Sequence, residues 1–226
     1  MSADDSVTTK FLSNLEIKPD SVHELSADDR ALQTAVVNCK SVSPLHSFKI
    51  STINLPIKEA YLKYLEPEDI EELYKLFLVN RDYLSRNIPI SSVNTLEDVA
   101  KRFGNDLTNP NRVQIGIYYN NKIVGRCRLT YYPDKNNICD FGYWIGEIYQ
   151  GLGLITATVK VLMQFVTKQL PQVKRFEIHC GDNNVKSRSV PERLGFKTGG
   201  VSNDPQDTIE LNGVWIRSII YSYIRE

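Results

Sequence analysis

From residue 55 onward the spacing of apolar positions changes in a readable order. Residues 60–65 alternate apolar and polar, the period of two expected of a half-buried strand. Pro67 then suits a first helical turn, and Ile70, Leu73, Leu76 and Phe77 give that helix one apolar face. Asn94 and Glu97 are spaced as a capping pair, with Leu96, Val99, Phe103 and Leu107 following at helical intervals. Three strands come next, at 113–119, 123–131 and 138–145, divided by turn signals at Asn120-Asn121-Lys122 and at 133–137. They predict an antiparallel meander.

Past residue 150 the period lengthens. Residues 156–170 read as a helix with Val159, Leu162, Met163 and Val166 on one side, and 175–179 as a short strand. A helix over 185–194 ends at Gly195, and Pro191 inside it is expected to kink or shorten it. Residues 208–211 and 214–224, joined by Asn212-Gly213, predict a hairpin. The order is that of an α+β fold with a mixed sheet. Residues 1–54 read differently. Ser26-Ala27-Asp28-Asp29 resembles a capping box opening a helix through Val37, and a stretch with Ser41 and Pro44 follows. This section is read as an N-terminal extension.

Composition narrows the function classes. The chain has 226 residues with 42% hydrophobic and 24% charged positions, and its 27 basic and 27 acidic side chains cancel. No global field points to nucleic acid or to an anionic membrane as partner. The longest apolar run falls far short of the roughly 20 residues that span a bilayer, and the polar, acidic start lacks the features of a signal peptide. A cytoplasmic location is the default expectation. Cys39, Cys127, Cys139 and Cys180 are widely spaced and form no C-x-x-C pair, so buried free thiols are expected in place of a zinc site or disulfides. With only His23, His46 and His179, no metal site is expected.

Chemistry concentrates where the third meander strand, ending at Tyr143-Trp144-Ile145, runs through Gln150-Gly151-Leu152-Gly153 into a helix. Glycines let backbone amides approach an anion, and a helix start adds unpaired N–H groups and the positive end of its dipole. There is no G-x-x-x-x-G-K-[ST] loop and no G-x-G-x-x-G inside an opening βαβ unit, which leaves a phosphate-bearing cofactor held in a mixed-sheet domain.

The run 141–154, FGYWIGEIYQGLGL, resembles the [Q/R]-x-x-G-x-[G/A] motif of the GNAT acetyltransferases, and its G-Y-W lead-in is similar to the RimJ/RimL branch, which acetylates protein N-termini. Asn184-x-x-Ser187 and the downstream Glu192-Arg193-Leu194-Gly195-Phe196 resemble that branch's second signature. The resemblance covers about residues 55–226, leaving 1–54 outside it as an extension. It implies a GNAT fold: a mixed, mostly antiparallel central sheet flanked by helices, splayed between the strand ending near Ile145 and the strand at 175–179. It implies acetyl-CoA as cofactor, its pantetheine arm against Tyr143 to Ile145 and its pyrophosphate on amides of Gly151, Gly153, Leu154, Ile155 and Thr156. Gln150 would open the loop and Asn184 would contact the cofactor from the next helix. Ile155 stands where the motif has Gly or Ala, so its side chain is expected to turn into the core.

The implied reaction is direct transfer of an acetyl group to a primary amine, a protein or peptide N-terminus first. The alternatives are a small-molecule amine (antibiotic, amino sugar or polyamine) and a non-catalytic acyl-CoA-binding module. Ser187 matches the family's hydroxyl beside the sulfur and would protonate the thiolate. Glu210 is the first choice for a base and Asp207 the second, in a segment whose length departs from the family pattern. His179 and Cys180 lie at the end of the splayed strand; His179 titrates in the neutral range when unperturbed, and Cys180 offers an acetyl-cysteine route. Arg217 stands where relatives carry an acid, which leaves a cationic or an acidic acceptor open. Tyr143, Tyr149, Tyr221 and Tyr223 are either acceptor-pocket walls or strand packing. The oligomeric state is left between a monomer and a homodimer.

Overall fold

The computed structural model describes residues 52–90, 93, 95, 97–101, 109–201, 208–211 and 213–225. The features predicted within 1–51, and Asn94, Leu96, Phe103, Leu107, Asp207 and Asn212, lie outside the described residues.

The elements follow the changes of period. β1 (Ile53–Asn54) and β2 (Ala60–Tyr64) come first. A 3-10 turn at Pro67–Asp69 feeds α1 (Ile70–Val79), followed by the short α2 (Arg81–Leu84). The meander is β3 (Arg112–Tyr119), β4 (Lys122–Tyr132) and β5 (Ile138–Ile145). Asn120 and Asn121 both take positive φ, 50° and 59°, inside the pair Tyr119↔Lys122. A two-residue turn of that hand matches the twist of the strands it joins. The second half is α3 (Leu154–Gln169), β6 (Arg175–Gly181), α4 (Val185–Arg193), β7 (Lys197–Val201), β8 (Thr208–Leu211) and β9 (Val214–Ile224).

The strands order as β1-β2-β3-β4-β5-β6-β9-β7, with β8 paired to β9. All pairings are antiparallel except β5 with β6. That parallel ladder is short. It holds Ile138↔Arg175, Cys139↔Phe176 and Asp140↔Glu177, and pairs nothing beyond. β5 still runs to Ile145 and β6 to Gly181, so the two strands part at mid-sheet and the splay expected from the resemblance is present.

Both faces of the central strands are covered. On one, Cys127, Leu129, Phe141, Phe176 and Ile178 join the core with Leu154, Val159, Leu162 and Val166 of α3, which recur at helical spacing. Full burial of such a side chain contributes about 1.5–3 kcal/mol. On the other, Tyr118 and Ile123 meet Ile70 and Leu73 of α1, with Trp144 packed alongside. Asp69 fixes the start of α1: it accepts hydrogen bonds from Lys63 (3.2 Å), the Tyr118 hydroxyl (2.9 Å) and the backbone N–H of Glu66 (2.8 Å).

Several boundaries differ from the sequence reading. α3 begins two residues earlier than predicted, because the glycine loop itself supplies the cap at Gly153. β6 runs on to Gly181, held by β9 after it has left β5. α4 continues through Pro191 to Arg193. α2 and β7 were not predicted. A reciprocal cap precedes residues 97–101, but one position later than the Asn94–Glu97 spacing: Thr95 N–H donates to Asp98 (2.8 Å) and Asp98 N–H to Thr95 Oγ1 (3.1 Å).

Candidate active site

The parted strands open a cleft of about 770 Å³. β5 lines it with Tyr143, Trp144 and Ile145, the loop with Tyr149, Gln150, Gly151 and Gly153, and α3 with its first turn. α4 contributes Asn184, Lys186, Ser187 and Arg193, and the end of α2 contributes Tyr83 and Leu84. The expected cofactor residues Tyr143, Ile145, Gln150, Gly151, Gly153, Leu154, Ile155, Thr156 and Asn184 therefore share one cavity wall, together with the expected acid Ser187.

The loop has the properties of an anion cradle. Gly151 and Gly153 take φ of 76° and 75°, the left-handed region that costs other residues energy. Gly153 caps α3, whose first intrahelical bond is Ala157 N–H to Gly153 C=O, 2.9 Å. The amides of Leu154, Ile155 and Thr156 thus precede the helix's own ladder at the positive end of a 16-residue helix. Ile155 packs half-buried against the core, as its position required, while still bordering the cleft. Lys160, Lys186 and Arg193 line the cleft, and no described carboxylate does. Arg193 is steadied by Thr156 and Ser189, each at 3.1 Å. Lys186 donates to Gln150 (2.7 Å), and Gln150 donates in turn to the Tyr83 hydroxyl, tying α4, the loop and α2 together.

Deeper in, three polar side chains meet. Ser187 Oγ lies 3.2 Å from Cys180 Sγ and 3.5 Å from the Tyr143 hydroxyl, which donates to the Ser187 carbonyl at 3.0 Å. That carbonyl is one that α4 leaves unsatisfied. Pro191, four residues on, has no N–H to offer it. Tyr143 supplies the missing donor, and the helix continues through Pro191 to Arg193. Asn184 caps α4 by accepting from Ser187 N–H (3.1 Å), so Ser187 is a capped residue and its hydroxyl is directed to the cluster.

This arrangement makes a prediction. Tyr143→Phe leaves a carbonyl without its donor and should destabilise the fold by about 1–3 kcal/mol. In a Pro191→Ala background the helix regains its own donor, so the same substitution should cost less. A double-mutant cycle by urea denaturation checks this; a Tyr143→Phe cost identical in both backgrounds refutes the pairing.

Burial raises both the phenol of Tyr143 and the thiol of Cys180. Tyr143 is pushed well above its ordinary value by burial first and by Cys180 second. Cys180 rises to about 11, burial outweighing hydrogen bonds from Ser187 and Tyr143. Both are proton donors, not nucleophiles, at neutral pH. Cys127 and Cys139 are also buried free thiols.

Other residues singled out from the sequence fall elsewhere. Glu210 is exposed on β8 opposite Trp215 and is not part of the cleft lining. Arg217 is an exposed side chain 3.9 Å from Asp182. Tyr149 joins Tyr143 at the cleft, whereas buried Tyr221 bonds Arg188 (3.1 Å) and Glu192 (2.7 Å), and Tyr223 packs on Phe196. Tyr83 and Lys186 were missed, since neither belongs to a motif. Among the described residues no group of His, Cys, Asp and Glu is placed to hold a metal, and no helix is long and apolar enough to cross a membrane.

Comparison with known proteins places these features in context. Residues 60–197 match the family model described as the acetyltransferase (GNAT) domain. YdaF of Bacillus subtilis (strain 168), named as a candidate ribosomal N-acetyltransferase, is 28% identical over 169 residues, 73% of this chain and 90% of that one. The ribosomal-protein-serine acetyltransferase of Escherichia coli (strain K12) is 25% identical over 152 residues, 63% of this chain and 84% of that one. Among solved structures, the microcin C7 self-immunity acetyltransferase MccE in complex with acetyl-CoA and AMP matches with a TM-score of 0.66 and 29% identity, over 74% of this chain and 93% of that one.

Proposed function

Because this chain belongs to the acetyltransferase (GNAT) family, we propose that it acetylates the α-amine of a protein or peptide N-terminus, using acetyl-CoA. The observation that supports the cofactor most is the cleft itself: left-handed glycines, a helix start, three cations and no described carboxylate suit a pyrophosphate. The amides from Gly151 to Thr156 would hold that pyrophosphate, with Lys160, Lys186 and Arg193 around it and the Tyr143–Ile145 edge along the pantetheine arm. Acetyl-CoA supplies an acetyl thioester. Ser187 is assigned the role of protonating the departing sulfur, backed by the neutral phenol of Tyr143. The raised thiol of Cys180 argues for direct transfer over an acetyl-cysteine route.

The acceptor assignment is supported by the two relatives named for ribosomal proteins and by a side pocket. About 50 Å³ of mostly apolar space, walled by Phe77, Leu84, Ile88, Ile90 and Trp144 with Arg126 also in its lining, adjoins the cleft through Leu84, Ile88 and Trp144. A cavity of about 150 Å³ takes benzene, so this one suits two or three heavy atoms, the size of a Ser or Ala side chain. The likeness to MccE favours a second reading, a small-molecule amine acceptor.

The test supplies acetyl-CoA with peptides beginning in Ser, Ala or Leu and with a panel of small amines, following free thiol and product mass. Peptides beginning in Ser or Ala should gain one acetyl group. Turnover confined to small amines removes the N-terminal reading. Acetyl-CoA at about 100 times its Kd should also stabilise the fold by about 2.7 kcal/mol. No stabilisation and no turnover would remove the acetyltransferase reading altogether.

A further inference from the structure

A short run of chain joins the side pocket to the cofactor loop. Asn80 stands between α1 and α2, and its backbone carbonyl accepts from Leu84 N–H at 2.8 Å, which closes the turn of α2. Its side chain makes two more bonds. Oδ1 accepts from the backbone N–H of Glu147 at 2.7 Å, and Nδ2 donates to the Leu76 carbonyl at 2.8 Å. Gly146 permits this approach, because a Cβ there would stand 3.3 Å from Asn80 Nδ2. Buried Asn80 thus pins the start of α2 to the turn that precedes the glycine loop, and no cation of the cleft takes part.

The rest of α2 is held in another way. The Tyr83 hydroxyl accepts from Gln150 Nε2, and Gln150 Oε1 accepts from Lys186 Nζ at 2.7 Å. Lys186 Nζ also lies 6.0 Å from the centroid of the Tyr83 ring, within range of a cation–π contact. All three residues line the cleft. Tyr83 is followed at once by buried Leu84, a wall shared by the cleft and the side pocket. Ile88, the next shared wall, donates its N–H to the Leu84 carbonyl at 2.9 Å. A chain of contacts therefore runs from the cation beside the loop, through Gln150 and Tyr83, to the walls of the side pocket. With α2 only four residues long and pinned at Asn80, a displacement of Tyr83 carries Leu84 with it.

We infer that Gln150 and Tyr83 are positioning residues that couple the two sites, so that a filled cofactor loop favours the acceptor-binding form of the side pocket. The inference rests on the N-terminal acetyl-transfer reading above. Lys186 has three N–H donors, so it can take a phosphate oxygen and keep Gln150. Its bond to phosphate is charge-assisted, about twice as strong as one between neutral groups, and restrains the side chain further. Gln150, restrained by Lys186, then restrains the Tyr83 hydroxyl, and with it Leu84 and Ile88. α2 is ordered as the cofactor binds, and the acceptor meets less of that entropy cost. The coupling is positive, and by linkage the acceptor tightens the cofactor by the same factor.

The test uses the full chain with CoA and an unacetylated peptide beginning in Ser, a pair that binds without reacting. Isothermal titration measures the peptide Kd with and without saturating CoA. In the wild type CoA should tighten the peptide by about 5- to 10-fold, the lower part of the range for coupled sites. Tyr83→Phe keeps the ring that faces Lys186 and removes only the hydroxyl. It should bring the ratio of the two Kd values to about 1, and with acetyl-CoA it should raise the peptide KM by about the lost factor while kcat falls far less. Gln150→Leu interrupts the chain one link earlier and should abolish the ratio too, and the double variant should lower it no further. If Tyr83→Phe weakens the peptide equally with and without CoA, the hydroxyl is a plain contact and the inference fails. A wild type that acetylates the peptide but binds it independently of CoA also overturns it. In both cases the acetyl-transfer reading stands. If the wild type acetylates no such peptide, that reading fails and the inference with it.

Discussion

Phe141→Ala is expected to cost about 3–5 kcal/mol, the range for deleting a buried aromatic ring, and to remove a large share of a marginal total stability. Phe141 is 1% exposed and stacks on Phe176 with ring centroids 5.8 Å apart. Its position is what makes it more than another core ring. It directly follows Asp140, the last β5 residue paired with β6. From there the two backbones diverge, and no ladder hydrogen bond restrains either strand toward the other. The ring pair fills the apex of the wedge from the α3 side. Truncation therefore removes packing where hydrogen bonding has already ended. At roughly 2–4 °C per kcal/mol for a chain of this size, Tm should fall by about 6–20 °C. The cofactor should also bind more weakly, because β5 loses its lateral support. Leu62→Ala supplies the comparison: it is equally buried on β2, with β3 and β4 between it and the apex. It should lower Tm by a similar mechanism with little change in acetyl-CoA affinity at a temperature where both variants are folded. Equal weakening by both substitutions would refute a special role for the apex.

The parting of β5 from β6 is also where the residue pattern stops being informative by itself. Alternation predicted β5, and the switch of period predicted α3, because one-sided burial leaves a local signature. Where a parallel ladder ends leaves none. It depends on Phe141 meeting Phe176, two residues 35 positions apart, and on β9 holding β6 beyond Glu177. The splay was anticipated only through the family resemblance. β7 was illegible for a different reason. Lys197–Val201 contains two glycines, and its side chains from Lys197 to Gly200 are exposed on an edge strand, so no apolar period forms. What lets Pro191 stay inside α4 was illegible for a third: the carbonyl it leaves without a donor is satisfied by Tyr143, 48 positions earlier. The site divides in the same way. Gln150, Gly151, Gly153, Asn184 and Ser187 were legible because each serves a local backbone need or belongs to a motif.

Gly153→Val should be the most damaging single change to cofactor binding that leaves the core intact. Gly153 sits at φ 75° as the cap of α3, with only Ile57 Cδ1 reaching 4.0 Å from the position of a Cβ. Space is therefore available, and the obstacle is the backbone angle. The left-handed region costs a non-glycine residue about 1–2 kcal/mol, and a β-branched side chain is among the least tolerant there. The chain has two responses. It holds the angle and accepts the strain, or it relaxes and swings the amides of Leu154, Ile155 and Thr156 away from their common focus. The first lowers stability alone; the second restores stability and forfeits the anion cradle. Because 1.4 kcal/mol corresponds to a factor of ten, a cradle that loses one or two amide bonds should bind acetyl-CoA about 10- to 100-fold more weakly. Gly213→Val separates the two costs. Gly213 has φ 82° and open space at its Cβ position, in the β8–β9 hairpin away from the cleft lining. It should lose comparable stability with an unchanged Kd. Isothermal titration of both variants with acetyl-CoA and with dephospho-CoA, which keeps the pyrophosphate, should show Gly153→Val weakening both ligands by the same factor. A Gly153→Val variant that binds as tightly as the wild type would mean that the loop amides do not hold the pyrophosphate, and the cleft would have to be reassigned.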